Sequence, residues 1–338
     1  GIMESYVAGV NAFIACGVLP MEMRLLQYHP DAWSAADSFA WSKMMAWDLS
    51  VNWDTEIIRT QLVNRLGAEK AALLEPAYLD HWPVILQQTD KAVTTGVTAL
   101  KRAASARQFT GPRASDGLGS NNWVLSGNRT TSGKPFLAND MHLGMGIPSL
   151  WYENHLVAED YELGGISFAG IPGIMQGHNR WVAWGFTNGF SDVQDLYIEH
   201  LRREDGRTQY EFKGQWLDAE TLVETIEVKG HDPVTETVII TRHGPVINLL
   251  SPDLCGEEPL ALCWTALRED APLSALFQIN TARDCDEFRE ALRGWTTPTQ
   301  NAVYADTKGN IGYSLAGSVP IRAKGDGRLP VPGWSGDH

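Results

Sequence analysis

The sequence predicts an α+β protein, with its helices in the first hundred residues and its strands after residue 120. Three observations carry this. Apolar residues in the first hundred recur at helical spacing. Residues 101–119 (KRAASARQFTGPRASDGLG) hold four basic groups and one acid among Gly, Ser, Ala and Pro, the composition of an exposed, cleavable linker. From Ser120 onward the pattern changes to short strand-like runs separated by turn residues.

Taken in order, VAGVNAFIACGVLP reads as a helix stopped by Pro20. A second starts at Ser34 or Asp37 and runs through AADSFAWSKMMAWDLS. A third covers TEIIRTQLVNRLG and closes at Gly67, and AEKAALLE forms another before Pro76. Past the linker, WVLSG and KPFLAND are strands joined through TTSGK. Further strands are expected in LGGISFAG, RWVAWGF, DLYIEHL, TQYEFKG, TLVETIEVKG, ETVIITRHGPVI, LALCWTA, NAVYAD and GNIGYSLAG. ADTKGNIGY reads as a hairpin with Gly309 and Asn310 in its turn, and DEFREALRGW is the one clear helix among the strands. No internal repeat is present.

Composition narrows the function. At 338 residues, 43% hydrophobic and 20% charged, the chain has ample material for a core. No apolar run approaches a membrane span. The net charge is −14, and the first 119 residues are nearly balanced, with 10 basic against 12 acidic groups, so the acid surplus lies downstream. An acidic chain lacks the footprint of a nucleic-acid binder and is disfavoured on anionic lipid. Cys16, Cys255, Cys263 and Cys285 show no C-x-x-C spacing, so neither a zinc site nor a thioredoxin-type motif is indicated, and one disulfide stays open. The opening has no basic targeting region and the turn-like LPVPGWSGDH does not close a domain, so both ends are expected to be cut.

Several chemistries are unsupported: there is no G-x-S-x-G, H-E-x-x-H, Walker loop or strand-linked G-x-G-x-x-G. The junction Gly119-Ser120 is more suggestive. If the bond before Ser120 were cut, that residue would carry a free α-amine, with a pKa near ~8, beside its own hydroxyl. An amine of that kind serves as the base a serine needs. A serine after a Gly-rich linker is more often a loop serine, and the residues alone leave both readings standing. Asp140 and His142 in NDMHLG read as a strand-end turn before they read as triad members. Asp192 and Asp195 in GFSDVQDLY suit calcium, although solvated loop acids are the commoner use of such a pair. The chain's 13 tryptophans mainly fill core, with lining of an acyl or sugar pocket as the other use.

Seven blocks then fall in order: GSNNWVLSG, FLANDMHLG, PSLWYENHL, AGIPGIMQGHNRWVAWGFTN, DVQDLYIE, NAVYADTKGNIGY and GRLPVPGW. Together with YVAGVNAFI, DSFAWSKMMAWDLS and NWDTEII upstream, they resemble the penicillin acylase (penicillin amidase) family of N-terminal-nucleophile hydrolases over essentially the whole chain. The resemblance implies a four-layer αββα sandwich and self-processing. Residues 1–100 would end a small chain, 101–119 would be a spacer, and 120–338 would begin the large chain, the two pairing as an α/β heterodimer with the remainder of the large chain. It implies an amidohydrolase that acts on an N-acylated small molecule through an acyl-enzyme on Ser120. Gly119 would be the processing residue, small so that the backbone can approach and strain.

By motif position the resemblance implies further roles. The Asn188 N–H would be one oxyanion donor, with a second Asn beyond residue 338; Asn301 is not that residue. His142 would orient Ser120 or its amine. Asn121 would position substrate. Ala46, Ser50, Leu143 and Gln176 would line the acyl pocket, and the lack of bulky aromatics at those places argues against phenylacetyl groups and for aliphatic ones, acyl-homoserine lactones included. A structural Ca2+ would be held by Glu56, Asp192 and Asp195, with carbonyls from Gln194 and near Gly327. A periplasmic location is common in the family. The competing expectations are a catalytically silent relative that binds acylated ligands and, against the ordered motifs, a calcium-bearing carbohydrate module.

Overall fold

In a computed structural model, described over residues 1–75, 81, 119–144, 146–159, 161–268 and 272–338, five helices are followed by a strand-rich part with three further helices, an α+β chain. The helices are α1 (Ile2–Ala15), α2 (Met21–Leu25), α3 (Ala35–Ser50), α4 (Trp53–Leu66), α5 (Ala68–Ala72), α6 (Pro252–Cys255), α7 (Pro272–Thr281) and α8 (Cys285–Ala291). The strands are β1 (Gly119–Leu125), β2 (Phe136–His142), β3 (Trp151–Ala158), β4 (Tyr161–Phe168), β5 (Gln176–His178), β6 (Val182–Asn188), β7 (Gln194–Ile198), β8 (Leu201–Glu204), β9 (Arg207–Phe212), β10 (Gln215–Asp218), β11 (Glu220–Ile226), β12 (Val234–Thr241), β13 (Gly244–Pro245), β14 (Leu260–Trp264), β15 (Gln300–Asp306), β16 (Ile311–Ala316) and β17 (Val331–Pro332). The linker expected over 101–118, and the helical expectation over 76–80 and 82–100, lie outside the described residues.

The local signals act where the sequence placed them. Ser34 stands just before α3, and Asp37 Oδ2 accepts both its N–H and its hydroxyl at 2.7 Å, the return half of a capping box. α4 stops at Gly67, whose φ is +78°. Asp284 caps α8 by accepting from the N–H groups of Asp286 and Glu287. The single-helix expectation downstream is corrected by α7, which opens on Pro272 at its first position and buries Leu273, Leu276 and Ile279. Its three-residue apolar spacing is the signal that would have found it.

The described residues divide into two compact units. One takes residues 1–50, 119–191 and 268–319. Its frame is a six-stranded antiparallel sheet in the order β16-β15-β6-β5-β4-β3. Side chains alternate along β6, so Trp184 and Phe186 face one way, against Phe288 of α8 (6.1 Å) and Trp295 (5.2 Å). Leu163, Leu276, Ile279, Ala302 and Tyr304 fill the same core. Between those two aromatics Gly185 faces the other way, toward Asn139 of the β1–β2 hairpin. The hairpin is fastened through side-chain amides: Asn122 Nδ2 donates to the Asn301 carbonyl (3.0 Å), and Asn139 Nδ2 to the Phe186 carbonyl (3.1 Å).

The other unit takes residues 51–75, 192–267 and 320–338. β7 lies between β14, antiparallel, and β17, parallel. Val51, Trp53, Ile57, Val193, Leu196, Leu262 and Trp264 are buried in this unit. Its remaining strands form the sheets β10-β9-β8 and β11-β12-β13.

Candidate active site

Ser120 is the second residue of β1, half-buried and paired with Met141 across the hairpin. Both line a pocket in the first unit that encloses about 880 Å³, counted with the solvent space at its mouth. The walls are apolar: Met45 and Leu49 of α3, Trp151, Phe168, Met175, Phe186, Leu276 and Trp295. Gly119, Leu143, Gln176 and Asn188 also line it, so four of the residues singled out in the sequence converge on one cavity with Ser120.

Asn188 ends β6 and is held at three points. Its Nδ2 donates to the Leu49 carbonyl (2.8 Å), its Oδ1 accepts from the Phe190 N–H (3.2 Å), and its carbonyl accepts from Asn301 Nδ2 (3.1 Å). The next N–H, of Gly189, donates to the Thr299 carbonyl on the β15 side (2.8 Å). Alternation along a strand therefore turns the Asn188 N–H to the other edge of β6. There β5 pairs no further than Trp184. Phe190, on the pocket wall, has a φ of +49°, a left-handed conformation that a bulky residue rarely adopts.

Other expected site residues lie elsewhere. His142 pairs with Gly119, and its ring meets Asp140 Oδ2 at 2.8 Å, exposed on the hairpin face opposite to Ser120. The structure does not bring that ring to the hydroxyl. Asn121 is on the same outer face, and its carbonyl accepts from Asn139 Nδ2 at 3.2 Å. Ala46 and Ser50 are buried but off the pocket wall, because α3 presents Ser42, Met45 and Leu49 instead. Ala46 and Ser50 each follow a wall residue by one position, a turn of about 100° from Met45 and from Leu49. The four positions expected to line the pocket carry no bulky aromatic, but Trp151, Phe168, Phe186, Phe190 and Trp295 supply aromatic walls from other positions. Among the described residues nothing lies within 4 Å of where a Cβ on Gly119 would stand, so the close approach expected there is not seen among them.

A carboxylate cluster lies in the second unit. Glu56 on α4 is 1% exposed; its Oε2 accepts from the Leu196 N–H (3.3 Å) and its Oε1 has no hydrogen-bond partner. Arg322 Nε donates to both oxygens of Asp195 (2.9 and 3.0 Å), and its Nη2 reaches Asp192 Oδ2 at 3.3 Å. Asn52 Nδ2 donates to Asp192 Oδ1 (2.7 Å), while Asn52 Oδ1 is buried and unpartnered. Gln194 Oε1 accepts from the N–H groups of Asn52 (3.0 Å) and Trp53 (3.4 Å), capping α4 from outside the helix. Gly327 packs directly on the Arg322 guanidinium.

Burial, then the Asp195 and Asp192 charges, push Glu56 well above the usual carboxylate range. Burial likewise raises Asp192, against the hydrogen bond from Asn52 and the Arg322 charge. Three carboxylates share one guanidinium, since the nearby Arg59 is paired with Glu75 at 2.7 Å. Two negative charges are left over, together with two unpartnered oxygens, and that excess suits a divalent cation. Among the described residues, no three His, Cys, Asp or Glu are gathered in coordinating geometry as they stand, with Arg322 between the two aspartates.

The family model described as penicillin amidase matches residues 1–338. Over 99% of its length the chain is 33% identical to the acyl-homoserine lactone acylase QuiP of Pseudomonas aeruginosa, covering 41% of that protein. It is 33% identical to the penicillin acylase 2 proenzyme of Pseudomonas sp. (strain SE83), over 100% of the chain and 44% of that protein. The solved structure of a thermostable penicillin G acylase from Alcaligenes faecalis is similar at a TM-score of 0.55 and 28% identity, over 64% of this chain and 38% of that one. The chain thus spans about two fifths of the length of the curated relatives it matches.

Proposed function

The chain belongs to the penicillin amidase family, and on that footing we propose that it is the nucleophile-bearing part of an amidohydrolase cleaving N-acylated small molecules through an acyl-enzyme on Ser120. The observation that carries this is the convergence of Ser120 and Asn188 on one apolar, aromatic-walled pocket. In the proposed maturation the Ser120 hydroxyl attacks the Gly119 carbonyl, the acyl group shifts from nitrogen to oxygen, and water hydrolyses the ester. That frees a large chain beginning at Ser120; separate trimming of the spacer over 101–119 leaves a small chain ending within residues 1–100, the two joined as an α/β heterodimer.

The freed Ser120 amine then removes the hydroxyl proton as Oγ bonds to the substrate carbonyl carbon. The Asn188 N–H meets the developing oxyanion. The proton passes to the substrate nitrogen as the C–N bond breaks, leaving an ester on Ser120. Water adds to that ester as its proton goes to the amine, and the amine returns the proton to Ser120 Oγ as the ester C–O bond breaks and the carboxylic acid departs. Met45, Leu49, Phe168, Phe186 and Trp295 would bind the acyl group by excluding water from it. Acyl-homoserine lactones and penicillins, after which these relatives are named, both present such a group.

The four-layer αββα sandwich belongs to the same proposal: the six-stranded sheet, helices α7 and α8 on one face and the β1–β2 hairpin on the other supply three of its layers. Calcium is proposed as the cation of the carboxylate cluster, held by Glu56, Asp192 and Asp195 with the Gln194 carbonyl. Bound there it would neutralise buried charge and tie segments together, remote from any bond being cleaved. A periplasmic location is likewise proposed; no described helix is long and apolar enough to cross a membrane.

Intact mass and N-terminal sequencing test the reading. Two chains, one beginning SNNWVLSG, are expected, and Ser120→Ala should stay uncut and fail to hydrolyse hexanoyl to dodecanoyl homoserine lactones or phenylacetyl amides. A protein that stays in one piece and turns over none of them would leave a silent ligand-binding relative.

A further inference from the structure

We propose that Asn301 is a positioning residue that holds the strand carrying Ser120 and the peptide of Asn188 in one register, with Tyr313 fixing its orientation. The inference rests on the reading above, in which the Asn188 N–H receives the oxyanion.

Asn301 lies on β15 opposite Thr187, one step from the pocket end of β6. Its Nδ2 donates to the Asn188 carbonyl (3.1 Å) and to Thr187 Oγ1 (3.3 Å), so both amide protons are used. Its Oδ1 accepts from the Tyr313 hydroxyl at 2.7 Å. Its main-chain carbonyl accepts from Asn122 Nδ2 at 3.0 Å. Asn122 is two residues along β1 from Ser120, on the same hairpin face. One residue thus holds the nucleophile strand through its backbone and the oxyanion strand through its side chain.

The orientation of the amide is chemically fixed. The Asn188 carbonyl can only accept, so the nitrogen must face it, and a flipped amide would set oxygen against oxygen. The Tyr313 hydroxyl donates to the remaining oxygen. With its carbonyl and carboxamide engaged, Asn188 keeps its N–H as the polar group aimed elsewhere. A peptide held at that many points meets developing charge without reorganising, which is what an oxyanion donor requires.

The test measures kcat and KM of Asn301→Ala, Asn301→Asp and Tyr313→Phe in the whole, processed protein. The substrate is decanoyl homoserine lactone, or whichever of the amides above turns over fastest. Affinities are measured for two probes, the free fatty acid product and an alkylboronic acid that adds covalently to Ser120. Asn301→Ala is expected to lose about tenfold to a hundredfold in kcat with KM and product affinity nearly unchanged, because a donor displaced by a fraction of an ångström costs rate before binding. Boronate affinity should fall with kcat. Asn301→Asp, similar in shape but presenting oxygen to the Asn188 carbonyl, should fall at least as far.

A merely structural role would lower Tm or the folded fraction and leave kcat per folded molecule and boronate affinity alone, which overturns the inference. If Asn301 variants do not fold, Tyr313→Phe decides: removing one hydroxyl should still lower kcat and boronate affinity together, and an unchanged kcat overturns the inference. Normal turnover in Asn301→Ala beside a dead Ser120→Ala removes this inference alone. Normal turnover in Ser120→Ala, or none in the unsubstituted protein, removes the parent reading and this inference with it.

Discussion

Gly185 gives its side-chain space to Asn139. A Cβ on Gly185 would overlap the Asn139 side chain, whose Nδ2 bonds the Phe186 carbonyl at 3.1 Å and the Asn121 carbonyl at 3.2 Å. The β1–β2 hairpin therefore rests on the sheet at the place where the sheet has no side chain. Ser120 stands two residues from Asn122, which pairs with Asn139 across the hairpin, so its position depends on that close approach.

Gly185→Ala is expected to lift the hairpin. Overpacking of this kind costs about 1–3 kcal/mol, and displacing Ser120 should slow both self-cleavage and turnover. Urea unfolding with an N-terminal cleavage time course checks it; cleavage at the normal rate would show that the hairpin position does not govern Ser120.

The helix phase of α3 can be tested by acyl preference. Ser42→Trp places a large ring on the pocket wall and should shift preference from dodecanoyl toward hexanoyl substrates. Ala46→Val, fully buried behind the wall, should leave the preference alone and cost about 1–3 kcal/mol through overpacking. The opposite pattern would place Ala46 in the pocket.

Asp306 should shape the acid limb of stability. The buried carboxylate accepts from the Cys285, Lys308 and Asn310 N–H groups and from Asn310 Nδ2. Burial works against it, but the Asn310 and Cys285 bonds outweigh burial and hold the carboxyl below its ordinary value. A depressed folded-state pKa contributes stability that is present above the unfolded pKa and lost as pH falls through the folded one. Asp306→Asn is expected to cost about 1–3 kcal/mol at neutral pH, from lost charge-assisted bonds. Denaturant unfolding at pH 7 and pH 3 should show the gap to the unsubstituted protein narrowing in acid.

Glu56 carries the expectation for metal. With its folded-state pKa raised by burial and by Asp195 and Asp192, the metal-free protein should lose stability as pH rises through that pKa. Calcium at a hundredfold over its Kd should restore about 2.7 kcal/mol. In Glu56→Gln the metal-free protein should be more stable at pH 7 and its Tm should respond little to calcium or chelator. A Tm indifferent to both in the unsubstituted protein would remove the cation from the cluster.

Much of the fold was legible because its signals are local. The Ser34–Asp37 start of α3, the Gly67 stop of α4, the Gly309–Asn310 turn and the alternation in β6 and β15 each depend on a few neighbouring residues. α7 and β3 were not foreseen, one with its short apolar spacing behind a proline, the other without a clear alternation. In the site, Ser120, Asn188, Leu143 and Gln176 were found by motif position. Trp151, Phe168 and Trp295 were not, because a pocket wall gathers single residues from elements far apart in sequence.

By itself the sequence determined the α+β class, the family resemblance and the serine at the linker's end, all properties of order along the chain. The tertiary structure alone decided which face each candidate occupies. His142 and Asn121 turn outward because strand side chains alternate. Ala46 and Ser50 fall off the wall because each sits one residue, a step of about 100°, past Met45 and Leu49. Arg322, 127 residues from Asp195, reaches its carboxylate because only folding brings them together. Facing and charge neighbourhood are relations between distant segments, and no local pattern encodes them.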